Sequence, residues 1–278
     1  MLKSLNQLIA LYLNTFKLFG RIKAWAFLLL IVLAYWILLY SHNNFTDPIF
    51  YGFISWWTNF WDAQYAGGFT HYPGHFILLS YYFSSAKLFL GFFLEGGLLG
   101  ATAVVFYKYI YSDIENKNYT FQQNFKNWMN LIVGWAILNA ILYAGYKFLP
   151  EIFSSFLWSS PRRQMLFNFA VIPFFNILVF ALFFYTIPYI AIYRANVLVA
   201  LKKSVSLFLK RPIFNFILSL TILFVPITIS ILMMDPSNLV DKFKPEIIYI
   251  GLTISLIADL FVNFFWIGTA VNYLSDQE

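Results

Sequence analysis

Long apolar runs recur along this chain, and no other feature restricts its fold as much. Residues 24–40 read AWAFLLLIVLAYWILLY without a single charge, and runs of similar character follow at 76–110, 128–148, 165–193, 213–234 and 247–271. The hydrocarbon core of a bilayer needs about 20 residues of helix to cross it. Inside that core a chain must satisfy its own backbone, which leaves helices or a closed barrel. Runs of this length predict an all-α protein: a polytopic transmembrane helical bundle of about six spans, forming one domain over 1–278. Composition agrees. The chain is 61% hydrophobic and only 11% charged, against about 25% charged in a soluble domain. It has no cysteine, which excludes disulfides, thiolate metal sites and cysteine nucleophiles.

Orientation follows from the cations. Five of the eighteen Lys and Arg residues lie in 194–212, RANVLVALKKSVSLFLKRP, and such concentrations mark the cytoplasmic side. As a helix this stretch sets Val197, Leu198, Leu201, Val205 and Phe208 on one face and Asn196, Lys203, Ser206 and Lys210 on the other, while Val199 and Leu207 break the pattern. It is expected to lie in the headgroup region, with Lys202, Lys203, Lys210 and Arg211 against anionic lipid. Residues 1–23 carry Lys3, Lys17, Arg21 and Lys23 with no acidic residue. Leu5, Leu8, Ile9, Tyr12, Phe16 and Phe19 recur there at helical spacing, so a cytoplasmic amphipathic lead-in is expected. Residues 41–75 contain no Lys or Arg and read as an external loop whose Trp56, Trp57, Phe60, Trp61 and Tyr65 dip into the interface. Residues 150–163 read as a second external loop. Twelve of the eighteen cations then fall inside, with both termini cytoplasmic and the chain in the inner membrane. The net charge of +6 needs no nucleic acid to explain it.

Charges within apolar sequence are the candidates for chemistry, because a charge at the bilayer centre costs about 2.5–3.5 kcal/mol on insertion scales and so faces a bundle interior or aqueous cavity. They are Lys87, Glu95 and Asp259. Asn263 follows Asp259 by one turn, and Glu95 adjoins Gly96. Gly96, Gly100 and Ala103 form a small-residue stripe that invites a second helix. Close approach there is expected to bring Asp259 or Asn263 to Glu95, with Lys87 as counter-ion or reaching for the outer interface. Pro173, Pro188 and Pro226 interrupt spans four and five; prolines free backbone carbonyls that neighbours must satisfy. His71 and His75 have a metal-like spacing, but Pro73 and Gly74 deny them a common helix, and neither a metal nor another cofactor is expected.

The order of Pro188-Tyr-Ile, Ala200-Leu-Lys-Lys-Ser204, Lys210-Arg211-Pro212 and a closing Tyr273-Leu274 resembles bacterial six-helix membrane families, among them the membrane domain attached to some glycerophosphodiester phosphodiesterases. The resemblance covers residues 76–278 and implies a fold and topology. It implies no phosphodiesterase activity, since no catalytic domain accompanies it. Walker, HExxH and G-x-S-x-G signatures are absent. The expectation is a non-enzymatic membrane scaffold or subunit of an envelope or export assembly, partnered by anionic lipids and by other membrane subunits or copies of itself. The alternative is a permease with its polar site around Glu95 and Asp259, and a third reading is surface sensing through the basic helix.

Overall fold

The computed structural model describes residues 2–110, 121–157 and 160–276. The polar stretch 111–120, with Lys117, lies outside the described residues. The structure is 89% helical, and among the described residues six helical stretches are long and apolar enough to span a membrane. This is a multi-pass membrane protein. In order come α1 (Leu2–Phe16), α2 (Ile22–Asn43), α3 (Pro48–Phe69), α4 (Gly74–Ile110), α5 (Phe121–Ile152), α6 (Ser154–Leu157), α7 (Pro161–Leu166), a π turn (Phe167–Val171), α8 (Ile172–Phe183), α9 (Thr186–Tyr193), α10 (Val197–Lys210), α11 (Pro212–Leu232), α12 (Pro236–Lys242) and α13 (Ile247–Ser275).

Where the spacing predicts loops, the structure forms helices. Residues 41–75 hold the 22-residue α3, capped by Asp47, whose carboxylate accepts the Ile49 N–H at 2.9 Å. The helix bends at Asp62, where the backbone turns extended. The Asp62 carboxylate then accepts the Gln64 N–H, and its carbonyl accepts the Tyr82 hydroxyl at 2.8 Å. One side chain ends the first half and caps the second, so the alternating polar residues that suggest a loop are capping groups. Likewise α5 continues through Pro150, and α6 and α7 occupy most of the remaining stretch to Arg163. The 37-residue α4 is one continuous helix.

Contacts divide the chain into two compact units. Unit 1 comprises 1–28, 94–224 and 262–278; unit 2 comprises 29–93 and 225–261.

In unit 1 α5 is gripped from two sides through glycines. On α4, a Cβ at Gly96 would stand 2.7 Å from the Leu131 carbonyl oxygen and 2.8 Å from the Trp135 Cβ, and one at Gly100 would meet the Leu131 side chain. Ala103, next on that stripe, is fully buried. On α5, Gly134 receives Ile190 of α9 and Gly145 receives Phe175 of α8. Backbones this close gain van der Waals contact that lipid cannot replace. The obstacle at Gly96 is backbone and at Gly100 a flexible side-chain tip. Gly96→Ala is therefore expected to cost about 2–3 kcal/mol of stability and Gly100→Ala clearly less, read as melting temperatures in mild detergent. Equal losses would mean that the α4–α5 seam is not this tight.

Unit 2 is built on aromatic packing. Trp57, Phe69, Tyr82 and Phe83 are buried with Tyr35 and Leu39 of α2 and with Ile248 and Leu256 of α13. The Trp57 indole N–H donates to Ser85 Oγ at 3.2 Å.

Candidate functional site

Lys87 on α4 and Asp259 on α13 both belong to unit 2. The Lys87 ammonium donates to an Asp259 carboxylate oxygen at 2.6 Å, and each side chain retains 27% of its exposure. The Tyr35 ring lies 5.2 Å from the same ammonium. The distance is that of a strong charge-assisted bond, and the aromatic face adds a second attraction for the cation. Two charges that would each be costly in hydrocarbon thus neutralise one another across two spans.

Lys87 thus takes the counter-ion role expected of it, with Asp259 as its carboxylate, and it is held by Asp259 and Tyr35 rather than extended toward an interface. Glu95 and Asn263 are both half-buried and fall in unit 1. One helical turn separates Asp259 from Asn263 and two separate Lys87 from Glu95, so α4 and α13 each carry one member of the pair and one further polar group. Tyr35 could not be singled out from the sequence, since nothing distinguishes it from the other tyrosines of the apolar runs.

Unit 1 holds a second polar centre, at the break in the fourth span. Pro188 has no N–H to offer the carbonyl of Phe184, and α8 stops at Phe183. That carbonyl instead accepts the indole N–H of Trp266 at 2.9 Å. Ser204 of α10 bridges the gap: its hydroxyl donates to the Leu182 carbonyl at 2.8 Å and accepts the Tyr185 N–H at 3.1 Å. The Tyr185 hydroxyl donates to Asn215 Oδ1 at 2.5 Å, and the Asn215 amide donates to the carbonyls of Leu207 and Arg211 at 3.2 and 3.0 Å, where α10 ends and α11 begins. Tyr273 stacks on Tyr185 with ring centroids 5.0 Å apart. Tyr185, Ser204 and Trp266 are almost wholly buried. Pro188 announces freed carbonyls in the sequence, and Asn215 is a lone amide in an apolar span; their meeting is tertiary. Further along the same span, Pro173 follows the π turn, where the Ile172 N–H reaches back to the Phe167 carbonyl. A proline that cannot donate to the preceding turn is a usual cause of such widening.

No family model, curated protein or solved structure matches this chain. Its own geometry carries the functional argument. Pro188, Ser204, Arg211 and Tyr273 all touch or flank the Tyr185 network.

The remaining candidates separate. His71 is exposed, whereas His75 is buried against Phe45 and Phe69 with centroids 4.7 and 4.6 Å away. Buried His42 holds the Leu38 carbonyl through Nδ1 at 2.8 Å, and its ring meets Phe69 and Phe83. Among the described residues no group of three or more metal-ligating side chains comes together. A cavity of about 200 Å³ lies between the halves of α3, lined by Phe45, Ile54, Thr58, Ala66 and Phe69 among others. Another of about 230 Å³ is lined by Pro150, Leu157, Gln164, Phe167 and Asn168. Neither is lined by Lys87, Glu95, Asp259 or Asn263.

On α10, Lys202, Lys203, Lys210 and Arg211 are all exposed. The helix faces differ from those the spacing suggests: Val197, Ala200, Ser204, Leu207 and Phe208 are buried, in a helix that packs on α5, α8 and α9. Leu207, which breaks the expected pattern, belongs to the core, and Leu198, expected on the apolar face, is 74% exposed. The small residues at 200 and 204 are what let this face approach protein, and a count of apolar positions passes over them.

Proposed function

We propose that the protein is a non-enzymatic scaffold of the inner membrane, a subunit on which a larger envelope or export assembly is built, with both termini cytoplasmic. The observation that carries this is the sealed break in the fourth span. In transporters, broken helices turn free carbonyls and helix ends toward a substrate or ion. Here Ser204 and Trp266 consume the carbonyls of Leu182 and Phe184 inside the bundle, so the break bends the chain and holds α10 in place. The glycine-lined seams of α5 support the same role.

A permease is the second reading, favoured by the half-exposed Lys87–Asp259 pair. The two separate by native mass spectrometry of the chain extracted in mild detergent from its own membranes. A stoichiometric protein partner is the expected result. Recovery alone or as a homo-oligomer holding a small molecule, together with loss of uptake in a folded Glu95→Gln or Asp259→Asn variant, would replace the scaffold with the permease.

A further inference from the structure

α1 and α10 are constructed alike. Each divides its circumference into three sectors, where an ordinary surface helix has two. The first sector rests on protein. In α1 it comprises Leu11 and Thr15, continued by Leu18 in the turn that follows, and it is fastened by polar contacts: Tyr12 hydroxyl to Thr221 Oγ1 at 2.6 Å, the Asn272 amide to Thr15 Oγ1 at 3.3 Å, and the Arg211 guanidinium to Gln7 Oε1 at 2.6 Å. Gly268 of α13 leaves room for Thr15. The Gln7–Arg211 bond ties α1 directly to the C-terminal cap of α10, so the two helices occupy one end of unit 1.

The second sector is apolar and exposed. Leu5, Ile9, Leu13 and Phe16 follow at helical spacing on α1, exposed by 52, 47, 58 and 58%. On α10 it is Leu198 and Leu209, at 74 and 66%, with half-exposed Leu201 and Val205 beside them. The third sector is mainly polar: Asn6 and Asn14 on α1, with Lys17 in the turn that follows, and Lys202, Lys203, Ser206 and Lys210 on α10, where exposed Val199 shares the same side. Arg21 and Lys23 add two exposed cations just after α1, and neither 1–23 nor 194–212 contains an acidic residue. An apolar sector adjoining a cationic one is what a helix needs to lie at a boundary between acyl chains and water.

We propose that α1 and α10 together form a two-helix platform seated in the headgroup region of an anionic leaflet. The apolar sectors enter the acyl boundary and the cations meet anionic headgroups. Arg211 is the exception among the cations of α10: it holds Gln7 and joins the helices. The platform fixes the depth at which that end of the bundle rides, and it is independent of whether the chain serves as scaffold or permease.

Because the chain has no cysteine, single cysteines can be introduced and spin-labelled without background. In vesicles of phosphatidylcholine and phosphatidylglycerol, labels at Ile9→Cys and Leu198→Cys are expected to be reached by oxygen and shielded from an aqueous nickel complex. Labels at Asn14→Cys and Lys202→Cys are expected to show the reverse. Spin-labelled phosphatidylglycerol is expected to be held in preference to spin-labelled phosphatidylcholine, with most of that preference lost in Lys202→Gln/Lys203→Gln/Lys210→Gln. These lysines are exposed, so the variant should keep the wild-type melting temperature. Aqueous access at Ile9 and Leu198, as on a surface reserved for a protein partner, would overturn the platform. An anionic-lipid preference unchanged by the triple substitution would overturn its charge specificity.

Discussion

Trp266→Ala is expected to leave little folded protein. Trp266 is 2% exposed and packs on Phe180 at 5.0 Å and Trp135 at 5.9 Å between ring centroids. Truncating a buried tryptophan costs about 3–5 kcal/mol. Losing the indole N–H also orphans the Phe184 carbonyl, worth about 1–3 kcal/mol. The sum rivals the whole stability of a typical domain, about 5–15 kcal/mol. Trp266→Phe separates the two effects. It keeps most of the ring and removes the donor, so its loss should be about 1–3 kcal/mol, visible as a lower melting temperature with monodisperse protein in size exclusion. If Trp266→Phe melts like the wild type, the carbonyl freed by Pro188 does not depend on that indole, and the sealed break loses its main support.

Breaking the Lys87–Asp259 pair from one side is expected to cost about 3 kcal/mol, because the surviving charge stays in apolar surroundings without its partner. Lys87→Met removes the cation that the Asp259 carboxylate accepts from, and Asp259→Leu removes the carboxylate that the Lys87 ammonium donates to. The double variant removes both charges and should recover most of the loss, since replacing a desolvated pair by apolar side chains is often neutral or better. A double-mutant cycle on melting temperature in detergent measures the coupling directly. Additive losses would mean that the two side chains do not act as a pair. Recovery of stability in the double variant also prepares a clean functional test: a scaffold built this way still binds its partner, whereas a permease relying on these charges is folded and inactive.

The differences between expectation and structure have definite causes. Asp62 and Asp47 look like loop residues because they are polar within aromatic sequence, yet each accepts a backbone N–H two residues on. A capping carboxylate and a loop carboxylate are identical in one dimension. The buried face of α10 includes Ala200 and Ser204, which carry little apolar weight but allow backbone approach, so the side of that helix facing protein is not the side its large apolar residues mark. The glycine at 96 admits Leu131 and Trp135 of α5, and Asp259 meets Lys87; neither contact is legible from the small-residue spacing alone.

What the sequence determined by itself is the class of object: six apolar stretches of spanning length, amphipathic segments accompanied by cations, prolines at the broken span and three charges within apolar runs. Each follows from local quantities, namely length against bilayer thickness, periodicity along one helix and the missing N–H of proline. Only the tertiary structure decided which charge pairs with which, that Ser204 and Trp266 close the break left by Pro188, and that Gln7 and Arg211 join α1 to α10. Those contacts link residues 172, 82 and 204 positions apart. Within one span every face meets either lipid or another span, both apolar, so the pattern that marks a helix as buried in water-soluble proteins says little about its neighbour here. The choice among neighbours rests on where small residues let backbones approach and on where the few polar groups find partners, and both are properties of packed helices.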